Sequence, residues 1–165
     1  MSVSASDLAL RLALQRRLEG TAPAASPDDA RFPGVADDDV PELRKLLPPS
    51  LSPAAVLMPI VERPEGLSVL LTRRASALKR HAGQISFPGG RLEASDEGPL
   101  AAALRETEEE IGLARDFVTV AGYLRPHVII TGYWVVPVVG FVRPGFELQL
   151  DAAEVQEAFE VPLAH

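Results

Sequence analysis

Hydrophobic residues near the N-terminus recur at helical spacing, and a polar, proline-rich stretch follows them. Ser6 or Asp7 is the candidate N-cap of this helix, and Gly20 is a stop signal. Residues 21–53 are rich in proline and contain an acidic run. This composition predicts an extended arm that lies on the rest of the protein, with one helical turn around residues 41–47. The leucines at helical spacing are Leu8, Leu12, Leu14 and Leu18.

Apolar runs that are partly β-branched follow the arm and predict strands. They lie at residues 54–61, 67–74, 83–87, 117–124 and 133–142. The first two are separated by the turn-like sequence ERPEG and are expected to form an antiparallel pair. Pro137 lies inside the last run and is expected at a sheet edge or bulge, because proline cannot donate a ladder hydrogen bond. The order of elements predicts an α+β or α/β protein with a mixed sheet and helices packed against it.

Residues 99–111 are predicted to form a helix with two distinct faces. Pro99 suits its first turn, and Gly112 suits the position just after its end. At about 100° per residue, a second face lies roughly 120° round from the apolar stripe, and Glu108 points away from it. The stripe consists of Leu100, Leu104, Thr107 and Ile111. The second face consists of Glu106, Glu109 and Glu110.

This carboxylate face has two interpretations. Like charges one helical turn apart repel by a few tenths of a kcal/mol per pair, and a run of glutamates is most often a solvated surface. Hard divalent cations, however, prefer carboxylate oxygens, and Mg²⁺ typically takes a few of them together with water and phosphate oxygens. Such an ion would stabilise three carboxylates that otherwise repel, so the flanking residues decide between the two interpretations.

The overall composition excludes several classes of function. The chain has 165 residues, of which 47% are hydrophobic and 24% charged, the balance of one soluble globular domain. A net charge of -7 argues against general binding to nucleic acid or to an anionic membrane, because both need a basic surface. The sequence has no cysteine, which excludes disulfides, zinc-thiolate sites and thiol catalysis. No apolar run approaches the roughly 20 residues that span a bilayer and no signal peptide is evident, so a cytoplasmic protein is expected.

From Gly90 onward the sequence resembles the Nudix box, usually written G-x5-E-x7-R-E-U-x-E-E-x-G-U, where U is apolar. Its second half is present at residues 105–113, and only Thr107 departs from it, at a position that is usually apolar. In the first half Gly90 is followed by Asp96 and Glu97, so this segment is one residue longer than the pattern. Either acid could serve as the first one of the box. A box with so many fixed positions is a specific signal.

Residues 70–90 also resemble the motif L-L-T-x-R-S-x3-R-x3-G-x-V-x-F-P-G-G of Nudix hydrolases that act on coenzyme A. The chain reads LLTRRASALKRHAGQISFPGG over this segment. Ala75, Lys79 and Ile85 replace the serine, an arginine and the valine, and the other defined positions match. The two motifs together cover residues 70–113. The resemblance implies the Nudix α/β/α sandwich, which agrees with the mixed sheet predicted above.

The resemblance also implies roles for the carboxylate face. Glu106, Glu109 and Glu110 would hold one or more Mg²⁺ or Mn²⁺ ions, with Glu109 at the centre of the metal site. Arg105 would orient a glutamate through an ion pair. Gly90 would join the metal site, and both it and Gly89 would let the backbone approach metal and substrate closely, because neither has a Cβ.

A basic cluster in the coenzyme A motif is suited to an anionic substrate. Arg73, Arg74 and Lys79 are its candidate substrate-binding residues, and Arg80 and His81 lie beside them. Arg74 is expected to contact a substrate phosphate that is distant from the metal. The alternative interpretation of the cluster is an ordinary solvated loop.

Glu154 is a candidate general base. It resembles the acids that some Nudix enzymes use from a C-terminal loop. Asp151 and Glu154 also form a D-x-x-E capping box for a helix, and this second interpretation is favoured. His81 and His127 could transfer protons, but a lone histidine is more often structural.

The sequence thus predicts a metal-dependent diphosphatase that hydrolyses coenzyme A or acyl-coenzyme A to 4′-phosphopantetheine and adenosine 3′,5′-bisphosphate. The alternatives are a Nudix hydrolase of another nucleoside diphosphate derivative, such as NADH or ADP-ribose, and a Nudix-fold module that binds a nucleotide without cleaving it. Residues 1–50 are expected to form a helix and arm on a Nudix domain of residues 51–165, with Pro162 starting a helix near a truncated C-terminal end. The expected partner is the small-molecule substrate, without nucleic acid or membrane. The oligomeric state stays open, with a homodimer as one expectation.

Overall fold

The structure is a computed structural model, and it describes residues 5–27, 32, 36–77 and 81–163. Its helices are α1 (Ala5–Leu18), α2 (Val40–Lys45) and α3 (Pro99–Ile111). Its strands are β1 (Ser52–Arg63), β2 (Gly66–Arg74), β3 (Ile85–Ser86), β4 (Gly89–Arg91), β5 (Val118–Tyr123), β6 (His127–Ile129), β7 (Tyr133–Val142) and β8 (Val155–Pro162).

β1 and β7 form the parallel centre of a mixed sheet. Their register runs from Ser52 opposite Tyr133 to Val61 opposite Val142. β2 joins β1 as the antiparallel partner that the sequence predicts. β3 and β8 pair antiparallel with β2, β4 pairs with β1, and β5 and β6 pair with β7. The predicted mixed sheet is confirmed.

Helices pack against both faces of this sheet. The side chains of a strand alternate between its two faces, so a single strand can contact helices on both sides. On β1, Leu57 and Val61 are fully buried and pack in one cluster with Ala103 of α3. Ile60, on the other face of the same strand, packs with Leu18 of α1. The layers are therefore helix, sheet and helix, and α3 contacts β1 and its neighbour β4.

The end of α1 is fastened to strand β5. The hydroxyl of Thr21 donates to the carbonyl of Leu18 at 2.6 Å and accepts the N–H of Tyr123 at 2.9 Å. The chain passes so close here that a Cβ on Gly122 would lie 2.4 Å from the carbonyl oxygen of Leu18. The predicted N-terminal helix is present: Leu14 and Leu18 pack on the sheet, and Arg11 pairs with Glu62 of β1 at 2.9 Å.

Pro137 does not lie at a sheet edge. It is opposite Val56 of β1, inside the interior strand β7. On the other side of β7 the pairing with β6 ends at Val135, and the pairing with β5 begins at Val138. The proline thus lies where the neighbouring strand changes, so its missing N–H interrupts no continuous ladder on that side.

The C-terminal segment corrects a second expectation. Pro162 is the last residue of β8, opposite Ser68 of β2, and does not start a helix. In the described ranges of the chain, none of the helices is both long and apolar enough to cross a membrane.

Candidate active site

Helix α3 has the two faces that the sequence predicts. Pro99 occupies its first position, and Gly112 ends it in the left-handed conformation with φ 71°, donating its N–H to the carbonyl of Glu108. Thr107, the unusual residue of the box, is fully buried. Its hydroxyl donates to the carbonyl of Ala103 at 2.6 Å, so a polar atom is satisfied inside the apolar face.

Glu110 is the most deeply buried acid of the carboxylate face. Its side chain is only 5% exposed. Oε2 accepts the backbone N–H of Gly89 at 3.0 Å. Burial raises the pKa of this carboxyl to about 7, helped by the charges of Glu154 and Glu106 and opposed by the Gly89 hydrogen bond and the charge of Arg74. Because burial disfavours the ionised form of Glu110, a positive charge nearby would stabilise the carboxylate.

Glu106 lies directly against the backbone of Gly90. A Cβ on Gly90 would be 2.4 Å from Cδ of Glu106, so only glycine leaves room for this carboxylate. The pKa of Glu106 is raised, first by burial and then by the charges of Glu109 and Glu154, and Arg105 counters part of that rise. The position of the Glu106 carboxylate therefore depends on the absence of a side chain at Gly90.

Arg105 holds the acids at this end of the site in place. Its Nη1 lies 3.1 Å from Oε1 of Glu106 and 3.0 Å from Oε2 of Glu109. Its Nη2 donates to Oδ2 of Asp96 at 3.0 Å and to the carbonyl of Arg91 at 3.1 Å. The ion pair expected between Arg105 and a glutamate is present, and it is shared between two glutamates.

Asp96, rather than Glu97, is the acid that joins this network. Its side chain is 5% exposed and also accepts the N–H of Glu93 at 2.8 Å. The hydrogen bond from Arg105 holds the pKa of Asp96 below its usual range, against the effect of burial. The extra residue between Gly90 and the helix is thus accommodated by a turn that returns Asp96 to Arg105.

Among the described residues of the basic cluster, Arg73 and Arg74 have different acidic partners. Nη1 of Arg74 lies 3.7 Å from Oε1 of Glu110, so Arg74 lies beside the carboxylate face, and a phosphate that it contacts would not be far from the candidate metal ligands. The register of β2 and β8 shifts between Arg73 and Arg74, and such bulges redirect side chains. Arg73 instead pairs with Glu157 at 3.3 Å. Lys79 and Arg80 lie outside the described residues.

Glu154 is in a turn and not at the start of a helix. Asp151 accepts the N–H groups of Glu154 and Val155 through its carbonyl, and β8 begins immediately afterwards. The capping-box interpretation is therefore wrong. The carbonyl of Glu154 accepts the N–H of Ala75 at 2.8 Å, which ties this turn to the end of β2 beside Arg74.

Some of these side chains line one cleft of about 490 Å³, and Glu109, Arg105 and Asp96 are not among them. Glu106, Glu110 and Glu154 line it together with Arg74 and the Gly89–Gly90 backbone. His81 also lines it, with Nδ1 2.8 Å from Oε1 of Gln84. His127 instead has Nδ1 3.0 Å from the carbonyl of Arg125.

The cleft has a second part that the sequence did not suggest. Nε of Arg91 donates to the hydroxyl of Tyr133 at 2.9 Å, and the guanidinium carbon lies 5.0 Å from the centre of the tyrosine ring. Val56, Ile129 and Val135 add apolar surface beside this pair. Alternation along β7 shows that Tyr133 and Val135 share a face, but only the packing shows that the face lines the cleft.

The donors suit a hard divalent cation in kind, because they are carboxylate oxygens beside a glycine backbone. As arranged here, no three histidine, aspartate or glutamate side chains in the described part of the chain form a group that could hold a metal. Arginines contact the carboxylates instead: Arg105 bridges Glu106 and Glu109, and Arg74 faces Glu110. A metal would fit this donor set once some of these contacts give way.

The match to known protein families decides the class of this site. The NUDIX domain family matches residues 51–165 of the chain. The chain belongs to the Nudix family. It is 48% identical over 111 residues to the uncharacterized Nudix hydrolase NudL of Escherichia coli K12, and 47% identical over the same length to NudL of Cronobacter sakazakii. Each alignment covers 67% of this chain and 57% of the relative, so the chain spans little more than half the length of these relatives.

Solved structures confirm the fold. The Nudix hydrolase RenU of M. smegmatis superposes with a TM-score of 0.58 at 24% identity, covering 68% of this chain and 71% of that one. The C. elegans Ap4A hydrolase binary complex superposes with a TM-score of 0.57 at 20% identity, covering 66% of this chain and 79% of that one. The NUDIX domain of Shewanella oneidensis NrtR, complexed with ADP ribose, superposes with a TM-score of 0.53 at 19% identity, covering 79% of this chain and 85% of that one. The predicted Nudix α/β/α sandwich is confirmed.

Proposed function

We propose that this Nudix protein is a metal-dependent diphosphatase that cleaves coenzyme A or acyl-coenzyme A. The products are 4′-phosphopantetheine and adenosine 3′,5′-bisphosphate. The observation that carries the proposal is the convergence of Glu106, Glu110 and Arg74 on one cleft beside Gly89 and Gly90 of β4. The carboxylates of such a cleft can bind a cation, and its guanidinium can bind a phosphate.

The metal ligands in this proposal are the side chains of Glu106, Glu109 and Glu110 and the backbone of Gly90. Their oxygen donors favour Mg²⁺ or Mn²⁺. A bound divalent ion would neutralise charge on the diphosphate and make a water molecule more acidic. Arg105 would fix Glu106 and Glu109 through the ion pairs already described.

The other residues of the cleft would bind and orient the substrate. Arg74 would donate to a phosphate oxygen, and the N–H of Gly89 would keep Glu110 in position. Glu154 would act as general base: it takes one proton from the attacking water while the water oxygen bonds to phosphorus. The bond from that phosphorus to the bridging oxygen breaks, and the other phosphate leaves with the bridging oxygen.

Among the candidate substrates we favour coenzyme A, because residues 70–90 match the coenzyme A motif at most defined positions. The apolar residues Val56, Ile129 and Val135 beside the acids suit a substrate that carries an uncharged arm on its diphosphate. The alternatives are NADH, ADP-ribose or a module that binds a nucleotide without cleaving it. The last is disfavoured by the intact network of Arg105 with Glu106 and Glu109, since a pure binder has no evident need for it.

The division into residues 1–50 and 51–165, a cytoplasmic location and a homodimer remain predictions from the sequence. The experiment that tests the proposed function is a hydrolysis screen of coenzyme A, acetyl-coenzyme A, NADH and ADP-ribose with Mg²⁺ and with Mn²⁺. Faster cleavage of the two coenzyme A compounds supports the proposal. Faster cleavage of NADH or ADP-ribose would leave the chemistry intact but reassign the substrate, and nucleotide binding without any product would favour the binding module.

A further inference from the structure

Arg74 is held by its backbone at the end of β2. Its N–H donates to the carbonyl of Gln84 at 2.9 Å, and its carbonyl accepts the N–H of Gly83 at 3.1 Å. The next residue, Ala75, donates to the carbonyl of Glu154 at 2.8 Å. The start of the Arg74 side chain is therefore fixed between two loops, whereas its guanidinium projects into the cleft.

The guanidinium of Arg74 has few partners of its own. Its Nη1 lies 3.7 Å from Oε1 of Glu110, which is a charge contact longer than a hydrogen bond. Its Nε is buried and has no hydrogen-bond partner among the described residues. A guanidinium carries five N–H donors, so Arg74 holds unused donors in a cleft suited to an anion.

Glu110 needs a positive partner at this place. Its side chain is 5% exposed, and Glu106 and Glu154 line the same cleft. A buried carboxylate is costly unless it is paired. Arg105 cannot easily move to serve it, because it is held by Asp96, Glu106, Glu109 and the carbonyl of Arg91. The guanidinium of Arg74 has fewer contacts than that of Arg105, so Arg74 is the cation that can move more easily.

We propose that Arg74 is a resident counter-ion of Glu110, which a divalent cation displaces and which then serves the diphosphate. This inference rests on the proposed function, because it assumes that Glu110 binds metal. Metal and substrate binding would be coupled through one side chain: the cation takes over Glu110, and the released guanidinium becomes free for a phosphate. Arg74 would oppose metal binding in the absence of substrate and favour substrate binding in the presence of metal.

The test measures Mn²⁺ binding to the protein without substrate, by the electron paramagnetic resonance signal of free Mn²⁺. Arg74→Ala should bind Mn²⁺ at least about fivefold more tightly than the wild type, the lower end of usual coupling between sites. Arg73→Ala is the matched control, since it removes the same charge one residue away, from a side chain paired with Glu157. It should change the affinity by less than about twofold, because exposed charges are screened.

The second measurement adds methylenediphosphonate, a diphosphate that water does not cleave, at saturating Mn²⁺. Arg74→Ala should bind it about tenfold or more weakly, the usual loss for a charge-assisted hydrogen bond. Opposite signs for metal and diphosphonate are the expected result, and a merely structural role would weaken both. If Arg74→Ala fails to fold, Arg74→Gln tests the same prediction with a longer neutral side chain.

Unchanged or weaker Mn²⁺ binding in Arg74→Ala, with normal binding in the wild type, would overturn the counter-ion role and leave the proposed function standing. An equal gain in Arg73→Ala would also overturn it, since the effect would then be general electrostatics. Absence of Mn²⁺ binding in every variant and in the wild type would refute the proposed metal site and the inference together.

Discussion

The backbone N–H of Gly89 donates to Oε2 of Glu110 at 3.0 Å, across 21 positions of sequence. This contact joins the start of β4 to the last turn of α3. The adjacent Gly90 lies against Glu106, whose carboxylate would collide with any Cβ there. Two consecutive glycines therefore position two acids of the helix, one by a hydrogen bond and the other by leaving space.

The steric dependence of Glu106 on Gly90 can be tested with Gly90→Ala. The added methyl group would lie 2.4 Å from Cδ of Glu106, so this carboxylate, which Arg105 contacts at 3.1 Å, has to shift. We expect kcat to fall on the order of 10², as misplacement by about 1 Å typically causes. Steady-state kinetics and thermal unfolding measure the effect. Wild-type kcat in a variant with an unchanged melting temperature would contradict this geometry.

Glu109 and Glu108 form a matched pair for testing the proposed metal ligands. Glu109→Gln should lower kcat by on the order of 10² or more at saturating Mg²⁺, because a metal-binding charge is lost. Glu108→Gln should keep kcat within about twofold, since Glu108 faces Arg115 at 3.8 Å on another side of the helix. Equal kcat values for the two variants would refute the assignment of Glu109.

Metal-free stability provides a separate check on Glu109. Glu109 is 61% exposed at its side chain and shares Arg105 with better buried partners. Exposed ion pairs contribute about 0 to 1 kcal/mol, and removal of this charge also relieves repulsion from Glu106. The melting temperature of Glu109→Gln without metal should therefore equal or slightly exceed that of the wild type. A large drop would mean that Glu109 stabilises the fold.

A pH-dependent contribution to stability is expected from Glu160, far along the sheet from the proposed metal ligands. Burial alone would raise the pKa of this carboxyl, but hydrogen bonds from Arg63 and Ser68 outweigh it, and the net pKa is lowered. A carboxyl with a lowered folded-state pKa stabilises the protein above its unfolded-state pKa. That stabilisation is lost as the pH falls through the folded-state value.

Urea unfolding of Glu160→Gln measures this contribution. The variant should lose about 1 kcal/mol of unfolding free energy at pH 7, and the difference from wild type should shrink as the pH falls through the lowered folded-state pKa of Glu160. Glu157→Gln is the control, because Glu157 lies on the same strand in a more exposed pair with Arg73. A difference that stays undiminished down to the lowest pH at which the wild type remains folded would contradict the ionic origin of the stabilisation.

Features set by local periodicity could be predicted from the sequence. The two faces of α3, its end at Gly112 and the pairing of β1 with β2 follow from spacing and turn residues alone. The family resemblance added the fold, which structural comparison confirms. It also pointed to Glu106, Glu110 and Arg74, which the structure brings into one cleft.

Features set by contacts distant in sequence could not be predicted. The position of Arg74 depends on a register shift opposite β8, and a single sequence does not reveal where a strand bulges. The D-x-x-E pattern at Asp151 was ambiguous, because the same residues serve a turn before a strand as well as a helix start. Arg91 and Tyr133 meet only because β4 and β7 flank the same strand, β1.

A single turnover of coenzyme A in ¹⁸O-labelled water tests whether the acids of α3 serve the cleavage of a diphosphate. Mass spectrometry should show 4′-phosphopantetheine and adenosine 3′,5′-bisphosphate, with one ¹⁸O on the phosphate that water attacked and no inorganic phosphate released. The same reaction with acetyl-coenzyme A should leave the thioester intact. Release of orthophosphate from the 3′ position, or of acetate with the diphosphate unbroken, would contradict the account.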